Sequence, residues 1–198
     1  MKRIYIFIIL SLIMISTSLL GQEKKKLIKG YDGGMMVHTG YVFSNVEPLS
    51  FSSEGPTFGI GGLVKLRFSD HFRNGFEGYI STMGQLDNGS YSKVFWSGST
   101  MDFFWELGKW MPYVGLTTGG GTVTHYLMFE GDKNDWVSEP VSYFNKKPFF
   151  AIDPYLGCDY CISDAMHLTM RLDYMFALGK EAYVPAGPRL YFGFIFSH

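Results

Sequence analysis

The amino-acid sequence predicts an all-β protein: an antiparallel, up-and-down transmembrane β-barrel of eight strands that follows a cleaved signal peptide. Three observations predict it. Segments along most of the chain alternate between apolar side chains and polar or small ones, as strands with two different faces do. Tight and long connections follow one another in a nearly regular order. A basic and then apolar leader precedes the alternating segments.

The leader, residues 1–21, has the pattern of an export signal. Lys2 and Arg3 precede an apolar run over residues 4–20, and Gly21 is a small residue at a suitable cleavage position. We predict export through the Sec pathway and cleavage after Gly21. An uncleaved anchor helix is the alternative, although the run is at the lower limit for a membrane span. Residues 22–29 are predicted to be a flexible lead-in, and residues 30–198 the barrel domain.

The alternation is clearest near the end of the chain. Leu168, Met170 and Leu172 share one face of a predicted strand, whereas Arg171 and Asp173 lie on the other face. The same criterion applied to the whole chain predicts strands at residues 30–44, 56–68, 75–85, 90–107, 110–129, 149–163, 166–178 and 187–198.

The lengths of the connections predict the orientation of the barrel. Outer-membrane barrels have short periplasmic turns and longer outer loops. Short turns are predicted at residues 69–74, 108–109 and 163–165, and the intervening connections are residues 45–55, 87–89, 130–148 and 179–186. Only the connection of residues 87–89 is short where a longer outer loop is expected. We therefore predict an outer-membrane barrel with both chain ends on the periplasmic side.

The polar faces of the strands would meet inside such a barrel. We predict a charge network there, in which six acids face four bases, formed by Lys65, Arg67, Glu77, Asp102, Glu106, Asp153, Asp159, Arg171, Asp173 and Arg189. Buried charges must be paired, and eight strands enclose a lumen that side chains just fill. The network is thus predicted to plug the lumen. Aromatic girdles at the membrane interfaces are predicted from Trp96, Trp105, Trp110, Tyr126 and Phe196.

A secreted, soluble ligand-binding barrel such as a lipocalin is the architectural alternative. It would bury the apolar faces and expose the charged ones. The polar faces, however, are rich in Gly, Thr, Ser and Tyr and poor in Lys and Glu, unlike the surface of a soluble protein. This composition favours the membrane.

Three segments carry a resemblance to a known class of proteins: residues 156–160 (Leu-Gly-Cys-Asp-Tyr), residues 168–174 (Leu-Thr-Met-Arg-Leu-Asp-Tyr) and residues 187–196. They resemble small outer-membrane β-barrel proteins of Bacteroidetes-type bacteria, with the architecture of the OmpX and OmpA-barrel class. The resemblance covers essentially the whole mature chain. It implies outer-membrane lipid and lipopolysaccharide as surroundings and the barrel-assembly machinery as a partner.

Patterns for chemistry are weak. Cys158 and Cys161 form a C-x-x-C, but residues three apart on a strand point to opposite faces, so two unpaired thiols are predicted. The glycine triplet of residues 119–121 lacks the Lys-Ser/Thr of a phosphate loop and is predicted to allow a close approach of strands. We predict no metal and no cofactor. The net charge of −1 argues against nucleic acid.

Two classes of function follow. We predict a non-enzymatic barrel with a structural or surface-interaction role through its outer loops, where Trp136, Tyr143 and Phe144 are weak candidates for binding. The alternative is a lipid-modifying barrel enzyme. Its catalytic group would be His125, close to Thr122 and Thr124, with Glu130 or Asp132 as the acid. No spacing motif supports that group.

Overall fold

The computed structural model describes residues 28–43, 55–83, 91–129, 141–178 and 185–198. They form the strands β1 (Gly30–Val42), β2 (Gly55–Arg67), β3 (Phe72–Met83), β4 (Tyr91–Phe104), β5 (Trp110–Phe129), β6 (Val141–Ser163), β7 (Met166–Leu178) and β8 (Gly187–Ser197). Each strand pairs antiparallel with its sequence neighbours, and β8 closes on β1. The predicted eight-stranded up-and-down barrel is confirmed. The predicted signal segment lies outside the described residues, among which no helix is long and apolar enough to cross a membrane.

Three predicted boundaries are wrong. β4 ends at Phe104 rather than at residue 107. β3 begins at Phe72 rather than at residue 75, so Arg73 belongs to the strand and not to the turn. β6 begins at Val141, so the second half of the predicted loop of residues 130–148 is strand. Pro148, within this part of β6, donates no ladder hydrogen bond. Here it is tolerated because the described ladder with β7 starts only at Phe150.

The connections β2–β3, β4–β5 and β6–β7 lie at one end of the barrel, which we call the turn end; the opposite end is the loop end. The turn between β4 and β5 contains Gly108, whose φ of 65° is in the left-handed region that favours glycine. The start of β1 meets the segment after β8 at the turn end, where Tyr31 N donates to His198 O at 2.9 Å. The remaining connections, residues 44–54, 84–90, 130–140 and 179–184, lie outside the described residues.

The strands are staggered around the barrel. A path that follows paired residues from β7 back to β7 does not close on itself. It runs from Leu168 through Phe194, Met35, Gly62, Gly78, Ser97, Gly120 and Phe150 to Leu178. Since Leu178 is nearer the loop end than Leu168, every row of paired residues climbs toward the loop end in the direction from β8 through β1 to β6. Such a stagger accompanies the strand tilt that closure requires.

The two faces of the wall have opposite chemistry. The outer face exposes large apolar side chains on every strand, such as Met35, Phe58 and Phe192, with Phe76 exposed to 71%. The inner face buries charged and hydroxyl side chains. The soluble alternative required the reverse arrangement.

Glycines on the inner face make room for aromatic rings. A Cβ on Gly121 would lie 2.7 Å from Cβ of its partner Trp96 and 2.1 Å from the carbonyl oxygen of Phe95. A Cβ on Gly115 would lie 2.4 Å from Cζ of Tyr155, across the β5–β6 ladder. The glycine triplet therefore allows a close approach, as predicted from the sequence.

Candidate functional site in the barrel lumen

Six charged side chains meet inside the barrel near the turn end. We call them the turn-end cluster, and they are Asp32, Lys65, Arg67, Arg73, Asp102 and Asp159. They come from β1, β2, β3, β4 and β6. Three bases face three acids, so the cluster is balanced when all are ionised.

Arg73 is the centre of the turn-end cluster. Its Nε donates to Asp102 Oδ1 at 2.7 Å, and its Nη1 lies 3.2 Å from Asp32 Oδ2 and 3.3 Å from Asp159 Oδ2. Lys65 Nζ donates to the second oxygen of Asp102 at 2.6 Å. Arg67 holds Asp32 through Nε and Nη2 at 2.9 to 3.1 Å. One guanidinium group thus links three carboxylates from three different strands.

A second group, the middle cluster, lies further toward the loop end. It comprises Glu77, Asp153, Arg171, Asp173 and Arg189, all buried. Arg171 donates two hydrogen bonds to Glu77, at 2.5 and 3.0 Å, and its Nη2 lies 3.1 Å from both Asp153 and Asp173. Arg189 bonds the same two aspartates, at 2.7 Å and 2.9 Å. Bidentate pairing of this kind fixes geometry as well as charge.

Tyr155 connects the two clusters. Its hydroxyl donates to Asp102 Oδ2 at 3.2 Å and accepts from Lys65 Nζ at 3.3 Å. The guanidinium carbon of Arg171 lies 3.9 Å from the centroid of the Tyr155 ring, within cation–π distance. The charged part of the lumen is therefore one continuous network.

The structure brings together every residue predicted for the lumen network except one. Glu106 lies at the turn-end rim, its side chain 65% exposed, with Oε1 3.8 Å from Arg67 Nη1. Sequence reasoning missed Asp32 and Arg73. Both keep the inward phase of their strands, so continuing the alternation of β1 and β3 toward the turn end would have found them.

The predicted position of Trp96 in an aromatic girdle is wrong. Its side chain is completely buried inside the barrel, where its ring lies 6.3 Å from that of Tyr79. It shares the inner face of β4 with Val94. The alternation along the strand therefore sets the position of Trp96, and the usual preference of tryptophan for membrane interfaces does not. Trp96 belongs to an apolar cluster, most of which lies toward the loop end and which we call the loop-end core. This cluster comprises Met36, Val42, Leu63, Tyr79, Met83, Val94, Trp96, Val123, Phe149, Ala151, Met175, Tyr191 and Ile195.

The other predicted girdle residues lie on the outer face. Trp105, Trp110 and Phe196 are exposed at the turn end, and the Trp110 ring lies 4.8 Å from that of Tyr160. Tyr126 lies near the loop end.

The three aromatic residues proposed for loop binding have different outcomes. Phe144 is 66% exposed on β6. The backbone of Tyr143 pairs with that of Leu127. Trp136 lies outside the described residues.

The structure separates His125 from the hydroxyl groups considered for a lipid-modifying enzyme, and the considered acids, Glu130 and Asp132, lie outside the described residues. His125 faces the lumen and is buried, whereas its neighbour Thr124 lies on the opposite face of β5. His125 Nδ1 instead lies 2.7 Å from Ser92 Oγ, the residue paired with it on β4. This serine–histidine contact is inside the barrel and away from the lipid-facing surface.

A cavity of about 290 Å³ opens at the turn end, lined by Arg67, Glu106, Gly108, Met111, Cys161, Ser163, Asp164 and His167. Cys161 Sγ lies 3.4 Å from His167 Nδ1, and both Cys158 and Cys161 are free thiols. The described residues contain no group of three or more side chains that could hold a metal ion.

Comparison with known proteins identifies the fold. No family profile and no curated protein sequence matches the chain. Among solved structures, Neisserial surface protein A matches with a TM-score of 0.56 at 12% identity, over 85% of this chain and 95% of the other. Outer membrane protein OprG from Pseudomonas aeruginosa matches with a TM-score of 0.51 at 14% identity, over the same shares of 85% and 95%. The chain has the fold of these small outer-membrane barrels.

Proposed function

We propose that this protein is a non-enzymatic outer-membrane barrel, plugged by its own side chains, with a structural or surface-binding role at its loop end. One observation carries the proposal: the barrel is apolar outside and ion-paired inside. A protein folded in water has the reverse arrangement, because transfer of apolar surface out of water is what drives its folding. An apolar outer band with a polar interior is typical of outer-membrane barrels.

The two charged clusters support a plugged lumen. Arg73 and Arg171 each bridge carboxylates from several strands, so their side chains cross the space that a channel would need. Eight strands leave little interior space. Toward the loop end, the loop-end core fills the lumen with apolar groups.

The β5–β6 hairpin supports a role at the loop end. Its ladder continues from Trp110 paired with Tyr160 as far as Phe129 paired with Val141, whereas the described β6–β7 ladder stops at Phe150. The described part of the hairpin extends further toward the loop end than the described part of β7, and it presents Phe144 and Lys146, both exposed. Exposed segments on a rigid scaffold are common places for recognition.

The position of the Ser92–His125 contact supports a non-enzymatic protein. A lipid-modifying enzyme needs its nucleophile where an acyl chain or headgroup can reach it. Here the two groups face the lumen, behind the wall of the barrel.

Membrane fractionation of a Gram-negative host that expresses the full chain tests the location. We expect the protein in the outer-membrane fraction, with faster gel mobility before boiling than after, because a folded barrel resists detergent. A mature chain that stays soluble without detergent would overturn the proposal.

Conductance measurements in planar bilayers test the plug. The folded protein is expected to give no steady current. The matched variants are Arg171→Ala, which removes the central bridge, and Lys109→Ala, an exposed residue in a turn. Only the first should admit current. Steady conductance by the unmodified protein would show that the lumen is open.

Lipid analysis tests the enzymatic alternative. Cells expressing the protein, cells expressing Ser92→Ala or His125→Ala, and cells without the gene should have the same lipid A profile. A profile that changes with the unmodified protein and reverts in both variants would establish the enzyme.

A further inference from the structure

A basic surface lies on the outside of the barrel near the loop end. Lys93, Thr124 and Lys146 are paired directly across β4, β5 and β6. All three lie on the outer face, opposite the buried Val123 and His125. Neighbouring strands are about 4.8 Å apart, so the backbones of the two lysines are about 10 Å apart. Their flexible side chains can converge on one ligand.

Aromatic rings border this basic row on the side of the loop end. Tyr91, Tyr126 and Phe144 are paired across the same three strands, two residues further out. The rings of Tyr91 and Tyr126 stack at 5.3 Å with an interplanar angle of 28°. We call this surface the loop-end patch; it comprises Tyr91, Lys93, Thr124, Tyr126, Phe144 and Lys146. Exposed aromatic rings offer flat faces on which the C–H face of a sugar can pack.

Among the described residues, the two lysines have no acidic partner. Neither Lys93 nor Lys146 makes an ion pair in the part of the chain that the structure describes. The neighbour of Lys93 in the same row is Thr82 on β3, an exposed hydroxyl residue. Lys93 Nζ instead lies 5.2 Å from the centroid of the Tyr91 ring, so its side chain extends toward the loop end. The patch therefore offers two cations to an external anion.

The stagger of the strands offsets the backbones of the two lysines along the barrel. Rows climb toward the loop end from β4 to β6, so the backbone of Lys146 lies nearer that end than the backbone of Lys93. The extension of the Lys93 side chain toward the loop end brings its ammonium group nearer to the level of the Lys146 backbone. Toward the turn end the exposed side chains become apolar, at Phe95 and Phe150. The lysines thus lie at the border of the apolar band, where cationic side chains reach lipid headgroups.

We propose that the loop-end patch binds the headgroup of a phosphorylated glycolipid in the outer leaflet. Lys93 and Lys146 hold the phosphate, Thr124 adds a hydroxyl between them, and a sugar ring packs on Tyr126 and Phe144. Phosphate satisfies both cations, and the acyl chains continue along the apolar wall below. The inference rests on the proposed function, because the orientation of the barrel decides which leaflet the patch meets.

Native mass spectrometry of the folded protein released from detergent micelles tests the proposal. The probes are bisphosphorylated lipid A, dephosphorylated lipid A and inorganic phosphate, each with phosphatidylcholine as competitor. The double variant Lys93→Gln with Lys146→Gln should reduce occupancy by bisphosphorylated lipid A by roughly tenfold, because each lysine at an anionic membrane surface favours binding. The double variant Lys93→Arg with Lys146→Arg should retain the occupancy by bisphosphorylated lipid A. Lys29→Gln with Lys109→Gln, the same charge change at the turn end, should have no effect.

The remaining outcomes are equally decisive. Equal binding of phosphorylated and dephosphorylated lipid A, or equal losses in the loop-end and turn-end double variants, would overturn the site. Displacement of the lipid by inorganic phosphate would show a free-anion site instead. Heat-modifiable mobility of the same samples distinguishes a failure of this inference from a failure of the proposed function. A folded barrel without lipid preference contradicts only this inference, whereas loss of membrane association by the unmodified protein contradicts the proposed function.

Discussion

The two charged clusters and the loop-end core fill the same lumen by different means. In the charged part, each buried base bonds carboxylates on other strands, as Arg171 does with Glu77 on β3 and Asp153 on β6. In the loop-end core, rings such as Trp96 and Tyr79 pack against aliphatic side chains. The charged part depends on the pairing of every ion, and the apolar part depends on volume. A substitution that conserves volume should therefore be harmless in one part and harmful in the other.

Arg171→Met should give the largest effect. It conserves most of the volume but removes the base that Glu77 contacts, and it leaves Asp153 and Asp173 buried with Arg189 as their remaining base. Removal of one partner from a buried ion pair costs about 3–5 kcal/mol, so we expect a loss at the upper limit of this range. Urea unfolding in detergent micelles measures it. A loss below about 1 kcal/mol would mean that water hydrates the middle cluster. The charged part of the lumen would then not differ from the loop-end core in its dependence on ion pairing.

Trp96→Ala should be next. The substitution leaves a cavity between Tyr79 and the glycines of β5, and the loss of a buried large aromatic side chain costs about 3 kcal/mol or more. Trp96→Phe, which keeps most of the volume, should cost clearly less. The same unfolding assay compares them. Equal costs for both variants would show that the indole nitrogen, rather than volume, matters here.

Lys65→Met should have an intermediate effect. It removes one base from the turn-end cluster, but Asp102 keeps the hydrogen bond from Arg73 at 2.7 Å. We expect a loss of about 2 kcal/mol, the cost of one hydrogen bond to a charged group. If Lys65→Met is as costly as Arg171→Met, the network acts as one unit and the number of remaining partners does not matter.

Lys29→Ala should have the smallest effect, and it supplies the exposed counterpart to the buried pairs. Lys29 Nζ donates to Asp70 Oδ1 at 2.6 Å in the turn between β2 and β3, outside the membrane-spanning part. This hydrogen bond lowers the pKa of Asp70. Any stabilisation is therefore present above the ordinary aspartate pKa and is lost as the pH falls through the lowered value. Exposed pairs contribute little, so we expect unfolding curves of Lys29→Ala and the unmodified protein to coincide at neutral pH.

The alternation of the sequence was sufficient to predict the barrel and most of the lumen charges. Arg171, Asp173 and Arg189 were assigned to the inside because a strand has two faces and their face carries the charge. Arg73 was missed because β3 begins three residues earlier than predicted, at Phe72. Trp96 was misplaced because its residue type was given more weight than its phase.

The partners of the lumen charges could not be predicted. Arg171 and Glu77 are 94 residues apart, and their contact depends on the stagger of all the intervening ladders. The turn-end cluster needs the same information, because Arg73 reaches Asp159 from three strands away. The alternation shows on which face of a strand a side chain lies, but not its height along the barrel relative to the other strands.

The turn-end cluster extends across the β1–β8 closure. Ser197 Oγ donates to Asp32 Oδ1 at 2.7 Å, and Arg67 Nη2 donates to Ser197 Oγ at 3.3 Å, so the last strand completes a network begun by the first. A partly assembled sheet of β1 to β4 would hold Glu77 without Arg171 and Asp32 without Ser197. Charges left unpaired in an apolar medium disfavour every open intermediate. Closure of the barrel, which joins residues 165 apart in the chain, should accordingly be the slow and all-or-none step of its folding.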